Sequence, residues 1–455
     1  MNRILKALAA AALALAMISA MFALSASAAA EFMIQNPYGG VDWYADRPRR
    51  AQLHAHTTAS DGKQTMAGAL ESYYAAGYDF VAVTDHGLVD RGWAKPNYRP
   101  VFGSFWNLFN RGKNGKPIVI QGLTEERLEE MAGGVGRDGR GMVRVPFGIE
   151  HNHPAPKMHV NSWFVDWGNA IPGGGRDYAT AVRNVNRRGG LAQINHPGDT
   201  PYVDVPLAQV FEDEGNYYVQ KVRRLLEKYP ALIGIEIKEE RDRKLWDILL
   251  TNLAPQGRNV FATATGDSHG EDSIDERWVW ALMPECTAEN LRGSLEAGAF
   301  FSAARYASHP DILAAVKQAG MDIMTTDDGR EYWEADGAKA GPMVTGIAVE
   351  DGAVTIMAEN HEVIQWVSGG RVIYAGETLS LPANKENLAA YVRAEIIGEG
   401  GILYAQPFLL SYEGMPAGNP VPRRFVDYDA FFGSLRMLVY PAVWALDRLW
   451  LLRWK

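Results

Sequence analysis

The chain has 455 residues, of which 47% are hydrophobic and 22% are charged, a composition typical of a globular protein with room for two or three domains. The formal net charge of -9 gives no electrostatic reason to expect binding along an extended nucleic acid, although a local site could hold a short nucleotide. Cys286 is the only cysteine, which excludes an intramolecular disulfide and a thiolate metal cage. Imidazole and carboxylate groups are therefore expected to hold any bound metal.

Residues 1–28 have the pattern of a secretory signal peptide. Arg3 and Lys6 form a short basic start, residues 4–24 are an apolar run, and Ala26-Ser27-Ala28 matches an A-x-A cleavage site. An uncleaved membrane anchor is the alternative, because the run approaches the length that spans a bilayer. Both interpretations predict an exported protein, either periplasmic or secreted. An uncleaved anchor would also make the protein membrane-associated.

Residues 50–307 alternate short apolar segments with helical patterns, which predicts an α/β architecture. The strand candidates are 51–56, 80–86, 145–151, 159–165, 191–197, 232–237 and 260–269, and the helical patterns are 66–77, 178–189, 217–229, 242–253 and 287–298. Residues 89–144 form a long insertion, for which a lid over a site is a hypothesis.

The chain changes character after residue 307. Residues 308–342 are predicted to form a helix and a linker, and in residues 343–415 segments such as VTGIAVE and YVRAEII predict a small antiparallel β-sandwich. The C-terminal segment 416–455 ends in an apolar, Trp-rich run over residues 431–455. We expect this run either to lie on a membrane surface as an amphipathic segment or to pack as a helix on the β-domain.

Metal-type side chains recur at the downstream ends of the predicted strands. In QLHAHTTASDG, His54 and His56 are two residues apart, so on a strand both imidazoles point to the same face, although such a pair alone fits surface histidines equally well. In a barrel of parallel strands the carboxyl ends open on one face, so the recurrence predicts a single metal-binding cleft. Its candidates are His54, His56, Asp85, His86, Glu150, His159, His196, Asp267 and His269.

In this order, HAHTTASDG, TDHG, the pair Glu150 and His159, NHP and GDSH resemble the motifs of the PHP (polymerase and histidinol phosphatase) superfamily of metal-dependent phosphoesterases. The similarity covers residues 50–305. Segments 295–306, 363–376 and 391–408 resemble the β-appendage of the carbaryl-hydrolase-like branch. The resemblance implies a distorted (β/α)7 barrel, followed by the small antiparallel β-sandwich, with two or three divalent metal ions.

The resemblance also implies three ligand groups: His54, His56, Glu150 and Asp267 for one ion, Glu150, His159 and His196 for a second, and Asp61, His86 and His269 for a third. His151 and His153 are alternatives to His159. We prefer His159 because it begins a predicted strand, whereas two prolines place the alternatives in a loop. Asp85 is interpreted as an acceptor that orients a metal-bound imidazole rather than as a ligand.

The ligand types suit Mn, Zn or Fe without distinguishing among them. Adjacent divalent ions lower the pKa of a bound water and neutralise charge on a phosphoryl oxygen, so no protein nucleophile is required. The favoured function is an exported multinuclear phosphoesterase that uses a metal-bound hydroxide on a small phosphomonoester or phosphodiester. A carbamate or carboxylic ester hydrolase is the alternative enzyme, and a non-catalytic metal-containing binding protein is the alternative of another class.

Several charged residues near these motifs have no assigned role. Lys63, Arg144, Lys238 and Arg241 could contact an anionic substrate, but their residue types favour solvated positions. Glu236 in GIEIKEE fits a pocket wall and a solvated or core-edge carboxylate equally well.

Overall fold

The computed structural model describes residues 32–97, 119–151, 159–168, 178–199, 217–238 and 240–419. The predicted signal peptide, the centre of the predicted lid, His153 and the segment after residue 419 lie outside the described residues, so the predictions made for them stay predictions. Within the described ranges, no helix combines the length and the apolar character needed to cross a membrane.

Strands and helices alternate in the first part of the chain, as its periodicity predicts. The strands are β1 Phe32–Gln35, β2 Arg47–Gln52, β3 Phe80–Val81, β4 Val143–Arg144, β5 Ile149–His151, β6 Val160–Trp163, β7 Leu191–Ile194, β8 Leu232–Glu236, β9 Phe261–Thr263, β10 Arg277–Met283, β11 Phe300–Ala304 and β12 Tyr306–Ala307. The helices are α1 Met66–Ala75, α2 Glu125–Gly133, α3 Tyr178–Arg187, α4 Tyr217–Lys228, α5 Glu240–Leu253 and α6 Ala288–Ala297. Threonine side chains cap the N-termini of α1, α2 and α6.

The second part of the chain is mostly antiparallel β-structure. It begins with α7 Pro310–Gln318, β13 Met324–Thr325 and β14 Glu331–Glu334, in the segment predicted as a helix and linker. The strands that follow are β15 Met343–Glu350, β16 Ala353–Glu359, β17 Val363–Ser368, β18 Arg371–Ala375, β19 Thr378–Ser380, β20 Tyr391–Gly398, β21 Gly401–Ala405 and β22 Phe408–Tyr412.

The strand pairings of the first part bring the carboxyl ends of several strands to one side. Strands β2, β3 and β4 are parallel, as are β7, β8 and β9, while β6 runs antiparallel between β5 and β7. Two isolated parallel bridges, between Ala55 and Ser268 and between His86 and Glu150 of β5, connect the sheet that contains β2, β3 and β4 with the sheet of β5 to β9. The mixed α/β fold predicted from the sequence is confirmed at this level.

The main sheet of the second part is continuous with the first part. Strand β21 pairs with β11, β11 with β10, and β10 with β2, so one hydrogen-bonded ladder runs from β20 to β4. Strands β15, β16 and β19 form a separate three-stranded sheet. The hydrophobic core also crosses between the parts, because Trp246 of α5 belongs to the same buried cluster as Tyr391 and Ile397 of β20.

Candidate metal centre

The nine predicted ligands lie in one cluster at the strand ends. Their ligand atoms fall into four overlapping groups, each with its atoms within 4.8 Å of one another: His56, Asp61, His86 and His269; His54, His56 and Asp267; His54, Glu150 and His196; and His86, Glu150 and His159. The groups share members, so the structure brings all nine side chains together as one site. His56 belongs with Asp61, His86 and His269 as well as with His54 and Asp267, whereas the sequence resemblance placed it only with His54, Glu150 and Asp267.

His54 and His56 converge as expected for alternate residues of an extended segment. Their Nε2 atoms are 3.1 Å apart, and Ala55 between them is held by the bridge to Ser268. Asp267 follows β9, and its Oδ1 atom lies 3.2 Å from the Nε2 atom of each imidazole. These three side chains form one edge of the cluster.

Glu150 lies at the centre of the cluster and is fully buried. Its Oε1 atom is 3.0 Å from His159 Nδ1, 3.3 Å from His54 Nε2 and 3.4 Å from His196 Nε2. Its Oε2 atom is 2.6 Å from His86 Nδ1. One carboxylate therefore faces imidazoles from four different segments, an arrangement suited to a ligand shared between ions.

His151 points away from this cluster, in agreement with the preference for His159. Neighbouring residues on a strand face opposite sides, so the side chain of His151 points away from that of Glu150. The His151 Nε2 atom lies 2.8 Å from Ser162 Oγ. Burial lowers the pKa of His151 to about 3, so its imidazole is neutral.

Asp61 connects the remaining histidines. Its Oδ2 atom lies 3.3 Å from His86 Nε2, and its Oδ1 atom lies 3.3 Å from His269 Nε2. Gly62 makes this turn achievable, because a Cβ atom there would lie only 2.6 Å from the carbonyl carbon of His56. The glycine after Asp61 thus lets the loop fold back closely onto the strand end.

Two of the cluster residues have unusual backbone conformations. His196 has a φ of 26° and Asp267 a φ of 47°, both in the left-handed region that side chains other than glycine rarely adopt. Such conformations cost about 1–3 kcal/mol each and concentrate at functional sites. Here they occur at two residues of the ligand cluster, each just after a strand.

Glu236 orients two residues of the cluster, His54 and His196, a role that the sequence left open. The side chain is fully buried at the end of β8, and its Oε1 atom lies 3.0 Å from His54 Nδ1. Its Oε2 atom accepts a hydrogen bond of 2.7 Å from the backbone N–H of His196. A proton on His54 Nδ1 would donate to Glu236, which leaves Nε2 free to face the cluster.

Asp85 supports the loop after His56. Its carboxylate accepts hydrogen bonds from the backbone N–H of Thr57 at 2.8 Å and from the Ser60 hydroxyl at 2.6 Å, and Ser60 Oγ lies 3.3 Å from His56 Nδ1. Asp85 therefore reaches an imidazole through Ser60 rather than by the direct contact that the sequence suggested.

The cluster holds opposite charges in a buried setting. Burial by itself would raise the pKa of Glu150, but the adjacent His159, His86 and His54 hold it well below the usual range for a carboxyl. Burial would lower the pKa of His54, yet Asp267, Glu236 and Glu150 raise it well above the usual range. Glu150 is therefore ionised, as a carboxylate ligand must be.

Several buried polar atoms of the cluster have no hydrogen-bond partner among the described residues. They are Asp61 Oδ1, His86 Nδ1, Glu150 Oε2, His159 Nδ1 and His196 Nδ1. His86 Nδ1 and Glu150 Oε2 approach to 2.6 Å, but without the geometry of a hydrogen bond. Buried polar atoms are rarely left unpaired, and cations held by the ligand groups to which these residues belong would satisfy them. The residues present thus fit divalent metal ions.

Comparison with known proteins gives distant structural similarity. No protein-family model matches the chain, and no curated protein matches it. It is similar to a two-domain protein with a predicted PHP-like metal-dependent phosphoesterase from Bacteroides vulgatus, at 14% identity and a TM-score of 0.38, over 83% of this chain and 93% of that chain. For a lesion-specific endonuclease from Pyrococcus furiosus, the identity is 12% and the TM-score 0.33, over 55% of this chain and 56% of that chain.

A third solved structure, assigned as a metal-dependent phosphoesterase from Bifidobacterium adolescentis, has 14% identity and a TM-score of 0.28, over 50% of this chain and 90% of that chain. At these identities and TM-scores, the case for a particular chemistry depends on the site itself.

Proposed function

We propose that this protein is a metal-dependent hydrolase of the PHP type that cleaves small phosphomonoesters or phosphodiesters. The observation that carries the proposal is the convergence of six imidazoles and three carboxylates in one buried cluster, with ligand atoms that lack other partners. Hydrogen bonds within the protein alone do not account for such a set, whereas divalent ions do.

The proposal includes the finer architecture that the resemblance implies. Strands β2, β3, β5, β6, β7, β8 and β9, joined by their pairings and by the two bridges, form a ring that supports a distorted (β/α)7 barrel. The antiparallel sheets of residues 343–412 support a β-sandwich appended to it. The four overlapping ligand groups support two or three ions of Mn, Zn or Fe.

The protein's own residues would prepare the site for hydrolysis. Glu150 would be one of the residues that hold the ions, and the imidazoles beside both of its oxygens would keep its carboxylate in place. Glu236 would hold His54 in the tautomer whose Nε2 is a ligand atom. Divalent ions, when bound, activate water and neutralise charge on a phosphoryl oxygen. No protein nucleophile is then needed.

The test compares wild-type protein with His54→Ala, His196→Ala and His361→Ala after reconstitution with Mn or Zn. Substrates are a nitrophenyl phosphomonoester, a nitrophenyl phosphodiester and a naphthyl carbamate, and metal content is measured in parallel. We expect the first two variants to lose both metal and phosphoester cleavage. His361, beside Glu377 and outside the cluster, provides the control.

The outcomes separate the candidate functions. Carbamate cleavage without phosphoester cleavage would replace the proposal with an ester or carbamate hydrolase. Full metal loading without turnover of any substrate would favour a metal-containing binding protein. Wild-type turnover by a His54→Ala protein that holds fewer than two ions would contradict the assignment of the metal centre.

We also propose that the protein is exported. The basic start, apolar run and A-x-A site of residues 1–28 support this, and mass analysis of the exported chain should find a start near Ala29. Contact with a membrane surface through residues 431–455 is a further proposal, supported by their apolar and Trp-rich composition. Deletion of these residues should then release the protein from the membrane fraction.

A further inference from the structure

Lys238 contacts a predicted metal ligand from outside the ligand set. Its Nζ atom donates a hydrogen bond of 3.1 Å to Asp267 Oδ2, and its side chain is 25% exposed. Asp267 Oδ1 meanwhile faces His54 and His56 at 3.2 Å each. The two oxygens of Asp267 are therefore divided, with one directed into the cluster and the other held by a lysine.

The backbone of Lys238 is fixed by a second carboxylate. Its N–H donates to Asp242 Oδ2 at 2.9 Å, while Asp242 Oδ1 accepts from the N–H of Gly198 at 2.6 Å. Asp242 thus ties the segment after β8 to the segment after β7, which carries His196. The lysine is held by the same framework as the ligands, which distinguishes it from a solvated surface residue.

A pocket begins on the other side of Lys238. Its lining includes Lys238, Arg277, Tyr306 and His309, and it lies between the end of β8 and the segment that leads into α7. Lys238 therefore contacts the metal cluster through Asp267 and also lines this small pocket. A positive charge at that position attracts an anion more strongly than a neutral group.

We propose that Lys238 is a positioning and charge-selecting residue of the site. It holds Asp267 with one oxygen toward His54 and His56, and it favours anionic esters over neutral esters entering beside the cluster. This inference rests on the proposed phosphoesterase function and assigns a residue that determines its substrate class.

The experiment compares Lys238→Met, Lys238→Arg and Lys63→Met in the full chain loaded with Mn. Lys63 is the matched control because it is also a lysine near the cluster, but its side chain is 69% exposed and pairs with Asp272 at 3.4 Å. Two quantities are measured: binding of inorganic phosphate by calorimetry, and the ratio of kcat/KM for a nitrophenyl phosphate to that for neutral nitrophenyl acetate.

We expect Lys238→Met to weaken phosphate binding and to lower the kcat/KM ratio, each by about 10- to 100-fold, as for loss of a charged hydrogen bond. Lys238→Arg should recover most of the phosphate binding and most of the kcat/KM ratio, and Lys63→Met should match the wild type in both quantities. If Lys238→Met binds less metal, recovery of metal content by Lys238→Arg supports the positioning role, and a failure to recover it contradicts that role.

Wild-type phosphate binding and an unchanged ratio in Lys238→Met would overturn the inference while leaving the proposed function intact. Absence of ester turnover in the wild type would instead contradict the proposed function, and phosphate binding would still test Lys238.

Discussion

Glu236 contacts two segments of the metal centre at once. Its two oxygens face His54, 182 residues earlier in the chain, and the backbone of His196. It also accepts a short hydrogen bond from the Thr265 hydroxyl. A single buried carboxylate thus fixes the imidazole ring of one ligand and the backbone of another.

We expect Glu236→Gln to weaken metal affinity by about 10- to 100-fold, the usual effect of altering a group that orients a metal-bound histidine. A glutamine has one acceptor oxygen, so its NH2 group must face either the His196 N–H or the imidazole and hydroxyl on the other side. Competition with a chromogenic chelator measures the affinity. Glu276→Gln is the control, because Glu276 is half exposed and pairs with Arg277. Equal affinity in Glu236→Gln and wild type would show that Glu236 has no such role.

At the residue scale, the sequence predicted which side chains meet, but not how they are supported. His54, His56 and Glu150 could be located because short motifs place them at strand ends. The role of Glu236 could not be assigned, and the contact of Asp85 with His56 through Ser60 could not be foreseen, because each is one carboxylate at the end of one strand. The imidazole beside each carboxylate comes from a distant part of the chain, and the spacing of residues along the sequence does not reveal that contact.

At the element scale, Gly234 sets how closely β8 and β9 approach. A Cβ atom at Gly234 would lie 1.7 Å from the carbonyl oxygen of Phe261, which no side chain can accommodate without displacing the strand. Strand β8 carries Glu236 two residues later, so the spacing of this pair also determines where the orienting carboxylate lies.

We expect Gly234→Ala to lower the free energy of unfolding by about 1–3 kcal/mol, since overpacking forces a backbone shift. Gly293→Ala is a matched control, because Gly293 lies within α6 and a Cβ atom there meets no other atom within 4 Å. That substitution should be neutral or stabilising by up to about 1 kcal/mol, the difference in helix propensity. Chemical denaturation measures both, and equal stability of the two variants would contradict the close approach.

The elements missed by the sequence are those whose patterns carry little periodicity. Strands β10 and β11 are almost entirely buried, so they lack the alternation that marks a half-exposed strand, and no strand was predicted for either. Helix α2 lies inside the insertion that was interpreted as a loop, although Thr124 and Gly134 cap its ends. Strands β7 and β8, which have apolar segments bounded by motif residues, were located from the sequence, whereas β2 ends at Gln52 and contains only the first two residues of the predicted strand 51–56.

At the scale of the whole molecule, a buried ionic network connects α5 to the sheet of the second part. Arg393 on β20 donates to Asp247 at 2.7 and 2.8 Å and to Glu395 at 2.6 Å, and Arg243 donates to Glu395 at 2.5 and 3.0 Å. Asp247 also accepts from the Tyr391 hydroxyl at 2.8 Å. Each charge of this network therefore faces an opposite charge.

We expect Asp247→Ala to lower the free energy of unfolding by about 3–5 kcal/mol, because it leaves Arg393 buried without one of its two partners. Asp328→Ala removes an exposed partner of Arg330 and should leave stability unchanged. Urea denaturation compares the two. Equal stability of Asp247→Ala and wild type would show that the network does not hold the two parts together.

The same network predicts how stability depends on pH. Burial would raise the pKa of Glu395, but Arg243 and Arg393 hold it far below its usual range. As the pH falls, Glu395 is therefore protonated in the unfolded chain at a higher pH than in the folded protein. Its contribution to the free energy of unfolding is fully present above about pH 4.3, the usual pKa of a glutamate, and decreases as the pH falls below that value. Glu395→Gln should be less stable than wild type at neutral pH, with a flatter decline in acid. Parallel unfolding curves of the two proteins between pH 3 and 6 would contradict this.

The shared sheet has a consequence for how this protein can be divided. Phe301–Ala304 of β11 pair residue by residue with Ile402–Ala405 of β21, about a hundred positions later. A protease that cuts between residues 305 and 342 would therefore break the chain without separating its halves, which should copurify as a nicked complex. For the same reason, recombination could not transfer the C-terminal half to another enzyme as a module, because its removal would leave β11 with an unpaired, aggregation-prone edge.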